Sequence, residues 1–168
     1  MRFPSCAMTR ERAIKRAAPF RVVIPARYAS QRLPGKPLLD IGGKPMIQRV
    51  YERALASGAD QVLIATDDAR IAEAVAAFTR DVRMTSTDHV SGTDRIAEVA
   101  EAENWPPDTI VVNLQGDEPL MPSQLLQQVA KTLVDHPLAE VATLSVPITQ
   151  TDQLFDPNTV KVVCDKDG

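Results

Sequence analysis

Apolar and polar positions follow two alternating periods along the chain, and the regular pattern begins at Phe20. Residues 20–25 (FRVVIP) form a short apolar run of strand length. A polar stretch punctuated by Gly and Pro follows to Lys44. From about Pro45 to Ser57 apolar residues recur at helical spacing, with Pro in the first turn and Gly58 as the stop signal. The strand, loop and helix then repeat. Residues 61–66 (QVLIAT) predict a strand and 69–77 a helix, with Asp68 as its cap. Residues 82–84 predict a short strand. Helical spacing returns over 93–103 through Ile96, Val99 and Ala100, behind Ser91 and Thr93 as cap residues. Residues 109–114 (TIVVNL) predict a buried strand, Ser123 caps a helix to about Val134, and 141–146 predict another strand.

Strands rich in Val and Ile that alternate with helices predict a mostly parallel sheet covered on both faces. The expected fold is therefore a Rossmann-like, three-layer α/β/α sandwich over residues 20–168. Ligands in such sheets bind at the carboxyl ends of the strands, so the loops after Ile24, Thr66 and Leu114 are the places to look for chemistry. At the far end, residues 159–164 (TVKVVC) alternate as a strand and 165–168 (DKDG) have the composition of a hairpin turn. A hairpin cut at its turn leaves an open strand edge, which folded proteins avoid. The expectation is a fragment or a prematurely terminated product.

Composition narrows the class. With 168 residues, 44% hydrophobic and 24% charged, the chain suits one globular domain and excludes disorder, collagen and a disulfide-stapled mini-protein. The net charge of -3 conceals an asymmetry: residues 1–53 carry 12 Lys and Arg against 3 Asp and Glu, and residues 54–168 carry 7 against 19. A pI near 5.4 disfavours a nucleic-acid partner. Small anionic molecules that need a few placed cations fit the basic front. Cys6 and Cys164 form no framework or metal spacing, which indicates a reducing, cytoplasmic setting. No apolar run reaches the ~18 residues that cross a bilayer, so no membrane partner is expected. Residues 1–19 are basic but lack the apolar core of a secretory signal, and they read as an unstructured extension or an Arg-rich transit peptide, with Met8 as an alternative start.

The loop over residues 25–38 (PARYASQRLPGKPL) places Arg27, Arg32, Lys36 and Gly35 directly after a buried strand. Gly admits backbone N–H groups close to an anion, and Arg and Lys neutralise it, which together suit a polyphosphate. A Walker A loop is excluded, because Gly35-Lys36 is followed by Pro37 and Ser30 stands where its first Gly belongs. Residues 115–119 (QGDEP) follow the most apolar strand, and adjacent carboxylates at such an edge call for cations or metal. Asp67 closes a strand as a nucleotide contact or a turn residue. In residues 88–95 (DHVSGTDR), hydroxyls and a helix start serve capping and ligand contact alike. His89 has no partner at catalytic spacing and reads as a loop residue, Trp105 reads as packing, and no Ser-His-Asp arrangement is present.

Together these segments closely resemble the signature of the 3-deoxy-manno-octulosonate cytidylyltransferases, the CMP-KDO synthetases. The resemblance runs through residues 25–38, 65–67, 88–95, 113–119 and 157–164, in that order, and covers 20–168. It implies a cytidylyltransferase that joins CMP from CTP to the sugar acid KDO, releasing pyrophosphate, for lipopolysaccharide synthesis. It implies a nucleotide site of Pro25, Ala26, Arg27, Ser30, Arg32, Gly35, Lys36, Asp67, Ser91, Gly92, Thr93 and Arg95. Arg27, Lys36 and Asp117 would be catalytic, with Asp117 the Mg²⁺ ligand, Gln115 on the sugar acid and Glu118 structural. Family members continue with a further portion that holds the hairpin's return strand, most of the sugar pocket, a second metal-binding Asp and the homodimer interface. Two alternatives stay open: a cytidylyltransferase for a related acidic sugar, and a truncated nucleotide-binding module without catalysis.

Overall fold

Strand β1 (Arg21–Ala26) sends alternate side chains into two separate cores, which accounts for its unbroken apolar run. Val22, Ile24 and Ala26 join one cluster and Val23 the other. The computed structural model describes residues 19–29 and 33–163. In it, β2 (Gln61–Thr66) runs parallel to β1 in full register, from Arg21 opposite Gln61 to Ala26 opposite Thr66. Strand β3 (Val82–Met84) adds to the outer side of β2, and β4 (Val111–Asn113) to the other side of β1, with Val23 opposite Asn113. The sheet is parallel throughout, in the order β3-β2-β1-β4.

The helices make the outer layers. Helices α1 (Met46–Leu55) and α2 (Ala69–Ala76) bury Ile47, Val50, Ala54, Ile71 and Val75 against Val22, Ile24, Val62 and Ile64. Helix α3 (Gly92–Ala102) covers the opposite face, where Ile96 and Val99 meet Val23, Leu63 and Ala65. Helix α4 (Ser123–Asp135) returns to the first face with Leu126 and Ala130. This is the three-layer sandwich that the apolar pattern predicts. Local signals end the helices as expected: Asp68 accepts the Arg70 N–H at the start of α2, and Gly58 adopts φ +72° beyond α1.

Four expectations need correction. Ser123 is the first residue of α4 rather than its cap; the preceding Pro122 occupies the N-cap position with no side-chain hydrogen bond. Of the two cap candidates before α3, Ser91 holds the position and Thr93 lies inside the helix. Residues 141–146 form no strand, and Val141 and Val146 are exposed. Residues 159–163 form none either, with Val160 and Val163 exposed. Alternating apolar residues satisfy a strand only when a partner offers its N–H and C=O groups, and neither segment pairs with the sheet. A short helix α5 (Thr151–Phe155), which buries no residue, was not anticipated because it has no apolar stripe to signal it. The extension over 1–18, Cys6, Ser30, Arg32, Cys164 and the turn at 165–168 lie outside the described residues.

Topology also positions a crevice. From β1 the chain moves to β2 on one side, and later arrives at β4 on the other. The carboxyl ends of β1 and β4 therefore border the switch point, where parallel α/β sheets bind ligands.

Candidate functional site at the switch point

A cavity of about 220 Å³ opens at this place, lined by Pro25, Ala26, Arg27, Lys36, Pro37, Gly92, Gln115, Gly116 and Asp117. Three chain segments converge on it. The end of β1 supplies Pro25 to Arg27, the loop after β4 supplies Gln115 to Asp117, and α3 presents its first residue, Gly92. Two glycines let them approach. A Cβ on Gly116 would stand 3.0 Å from the Pro25 carbonyl oxygen, and one on Gly92 would stand 3.3 Å from Pro25 Cγ. Any side chain at Gly116 would push the two loops apart.

The pocket's charged side chains are already engaged. Lys36 Nζ donates to Asp117 Oδ2 at 2.6 Å, with both side chains partly exposed. The Arg27 guanidinium donates to the carbonyl oxygens of Val90 and Ser91 at 3.3 Å each, and also to that of His89. It thereby ties the end of β1 to the loop before α3. Gln115 Nε2 donates to Asn113 Oδ1 at 2.9 Å. Glu118, next to Asp117, is half-buried, and burial followed by the Asp117 charge pushes its carboxyl above the usual range.

The start of α3 is well ordered. Ser91 Oγ accepts the Asp94 N–H at 3.1 Å, and Asp94 accepts the Ser91 N–H at 2.9 Å, a reciprocal capping box. The Ser91 hydroxyl, donating to Asp94 Oδ2 at 2.7 Å, leads in holding the Asp94 carboxyl below its usual range, and the Ser91 N–H follows. Capping occupies the N–H of Asp94, the earlier amides of the helix have no intrahelical acceptor, and Gly92 lines the pocket. Thr93 is exposed and lines the neighbouring groove beside β4 rather than the pocket.

Asp67 and Arg95 are joined to each other. Arg95 is fully buried; its Nη2 donates to Asp67 Oδ2 at 2.5 Å and its Nη1 to the Thr85 hydroxyl. The pair ties α3 to the end of β2 and stands outside the pocket lining. His89, expected to be an ordinary loop residue, pairs through Nε2 with Glu98. Trp105 packs against the smaller core and lies under the Arg21 guanidinium, 4.6 Å from its ring centre.

Of the expected site residues, Pro25, Ala26, Arg27, Lys36, Gly92, Gln115 and Asp117 share one cavity. Gly35 stands just behind Lys36 at φ +71°, a backbone that favours glycine. Pro37 and Gly116 belong to the lining without having been singled out. Pro37 follows the loop's last cation and Gly116 sits between Gln115 and Asp117, so adjacency to candidate residues was the signal for both.

Asp117 is the carboxylate of the lining, and among the described residues no group of three or more His, Cys, Asp or Glu side chains gathers around one point. Mg²⁺ commonly takes one or two carboxylates and completes its shell with phosphate oxygens and water. A single carboxylate in the lining, beside Lys36, fits that pattern.

The cytidylyltransferase family profile matches residues 21–168. A 3-deoxy-manno-octulosonate cytidylyltransferase of Pseudoalteromonas atlantica is 56% identical over 149 residues, covering 89% of this chain and 59% of that protein. One from Thioalkalivibrio sulfidiphilus is 60% identical over 146 residues, covering 87% and 58%. The chain thus spans somewhat under three-fifths of these relatives. A solved structure of CMP:2-keto-3-deoxy-manno-octonic acid synthetase complexed with CTP aligns with a TM-score of 0.65 and 50% identity, over 71% of this chain and 49% of that one.

Proposed function

The chain belongs to the cytidylyltransferase family, and from that premise we propose that it serves the transfer of CMP from CTP to the sugar acid KDO, with release of pyrophosphate. The observation that carries the reading is the meeting of Lys36, Arg27, Gln115, Asp117 and the start of α3 in one cavity at the switch point. The relatives' names and the CTP complex supply the nucleotide and the sugar acid.

In this reading Arg27 and Lys36, with Arg32 from the same loop, hold the triphosphate and neutralise its charge. Gly35 keeps that loop's backbone close to the phosphates, and the free amides at Gly92 and Thr93 add donors. Ser30, Ser91, Pro25 and Ala26 line the nucleotide, and Gln115 contacts the sugar acid. The anomeric hydroxyl attacks the α-phosphorus in line, the bond to the β-phosphate oxygen breaks, and pyrophosphate carries away the electron pair. No covalent bond to the protein is needed, so the residues act by placement and by meeting charge as it develops. Asp117 would hold Mg²⁺, which when bound neutralises phosphate charge. Asp67 and Arg95 act indirectly, by fixing α3 to β2. A cytoplasmic homodimer working in lipopolysaccharide synthesis completes the proposal.

The test has two parts. Thermal-shift titration with CTP, UTP and ATP in the presence of Mg²⁺ should stabilise the protein most with CTP, and KDO with CTP should release pyrophosphate. A protein that CTP leaves unshifted sinks the proposal.

A further inference from the structure

Tyr28 touches both ends of the link between the cation-bearing loop and α2. The Arg70 guanidinium lies over its ring, 3.3 Å from the ring centre. Arg70 is itself fixed, because its Nε and Nη2 donate to the two carboxylate oxygens of Asp68 at 2.9 and 2.6 Å, and Asp68 caps α2. At the rim of the same ring, a Cβ on Gly35 would stand 3.1 Å from Cε2 and 3.2 Å from Cζ and Oη. The Tyr28 carbonyl accepts the Gly35 N–H at 2.9 Å, and the Gly35 carbonyl accepts the Leu38 N–H at 2.9 Å. Gly35 thus holds its positive φ against the tyrosine, one residue before Lys36.

We propose that Tyr28, clasped by Arg70, is a positioning residue that sets Lys36 at the pocket mouth for a polyphosphate chain; this rests on the nucleotide reading above. The physical reason is the cost of ordering. A lysine on an irregular loop loses rotamer and backbone freedom when it binds an anion, and a loop already ordered loses less. A cation over an aromatic face, locked by a forked ion pair, is a directional tie suited to that task. The guanidinium lies over the face of the ring and Gly35 stands at its rim, so the ring carries the contact.

The experiment compares the chain with Arg70→Ala, Tyr28→Phe and Tyr28→Ala. Tyr28 also packs against the larger core, so Tyr28→Ala loses packing as well, whereas the Arg70 side chain is 59% exposed and its removal opens no core. Amide exchange at Gly35 and Leu38 reports loop order, and calorimetric titration with CTP, inorganic tripolyphosphate and CMP reports binding. In Arg70→Ala and Tyr28→Ala, exchange should quicken about tenfold, CTP and tripolyphosphate should bind about tenfold more weakly, and CMP should change less than about twofold. Tyr28→Phe should match the parent. Parent-like exchange and CTP affinity in Arg70→Ala overturn the proposal, and so does an equal loss for CTP and CMP, which would mark a general structural role. A parent chain that binds neither CTP nor tripolyphosphate overturns the nucleotide reading itself, an outcome recognisable before any variant is compared.

Discussion

Lys36 Nζ stands 2.6 Å from Asp117 Oδ2, so residues 81 positions apart join the loop after β1 to the loop after β4 across the mouth of the cavity. With both side chains partly exposed, the pair adds only about 0 to 1 kcal/mol to stability. Its importance is chemical, since each partner is the charge that a triphosphate and its cation would engage. Lys36→Ala and Asp117→Ala should therefore each lower pyrophosphate release by about 10²-fold or more, while shifting the melting temperature by only a few degrees. Either variant releasing pyrophosphate at near the parent rate would sink the assignment.

Gly116 gives a prediction about shape rather than charge. The added methyl of Gly116→Ala would meet the Pro25 carbonyl oxygen at 3.0 Å, with Ile47 Cδ1 at 3.6 Å and Ala26 Cα at 3.7 Å on its other sides. The β4 loop would have to move, at a cost of about 1 to 3 kcal/mol as for other overpacked sites. Urea unfolding should show that loss, and CTP affinity should fall with it because Gln115 and Asp117 move too. Unchanged stability would mean that the loop has slack.

The parts of this molecule readable in the sequence are those with local causes. The β1 and β2 strands declared themselves through uninterrupted apolar residues, since both sheet faces are covered, and Ser91 and Asp68 through the short range of helix capping. Residues 141–146 and 159–163 misled because alternation reports a capacity for pairing, while pairing depends on a partner edge far away in the chain. The Arg95–Asp67 pair was likewise invisible: both residues carried charge suited to a ligand, and only the approach of α3 to the end of β2 turns that charge inward. The Gly116 approach and the Tyr28 clasp have the same origin in contacts between distant segments.

That buried pair should respond asymmetrically. Asp67→Ala leaves the fully buried Arg95 guanidinium without its carboxylate, with Nε already lacking a partner, and should cost about 3 to 5 kcal/mol. Arg95→Met removes the charge and keeps much of the volume, while leaving an Asp67 carboxylate that is 18% exposed and can be rehydrated. It should cost clearly less. Chemical denaturation of the two variants side by side decides, and equal losses would show that the cost lies in packing rather than in an uncompensated charge.

Glu118 supplies the pH-dependent case. Burial first, and then the neighbouring Asp117 charge, raise its carboxyl above the usual range. A folded-state value above the unfolded one means that the folded protein takes up the proton more readily. The ionised group therefore opposes folding at neutral pH, and this penalty disappears as the pH falls through the raised value and the carboxyl becomes neutral. Glu118→Gln, neutral at every pH and of similar size, should melt higher than the parent at pH 7. Its advantage should shrink steadily toward about pH 4, near the ordinary carboxylate value. Melting curves across that window check both the direction and the trend, and a Gln variant that melts lower than the parent at pH 7 would show that the Glu118 charge is instead compensated in the folded protein.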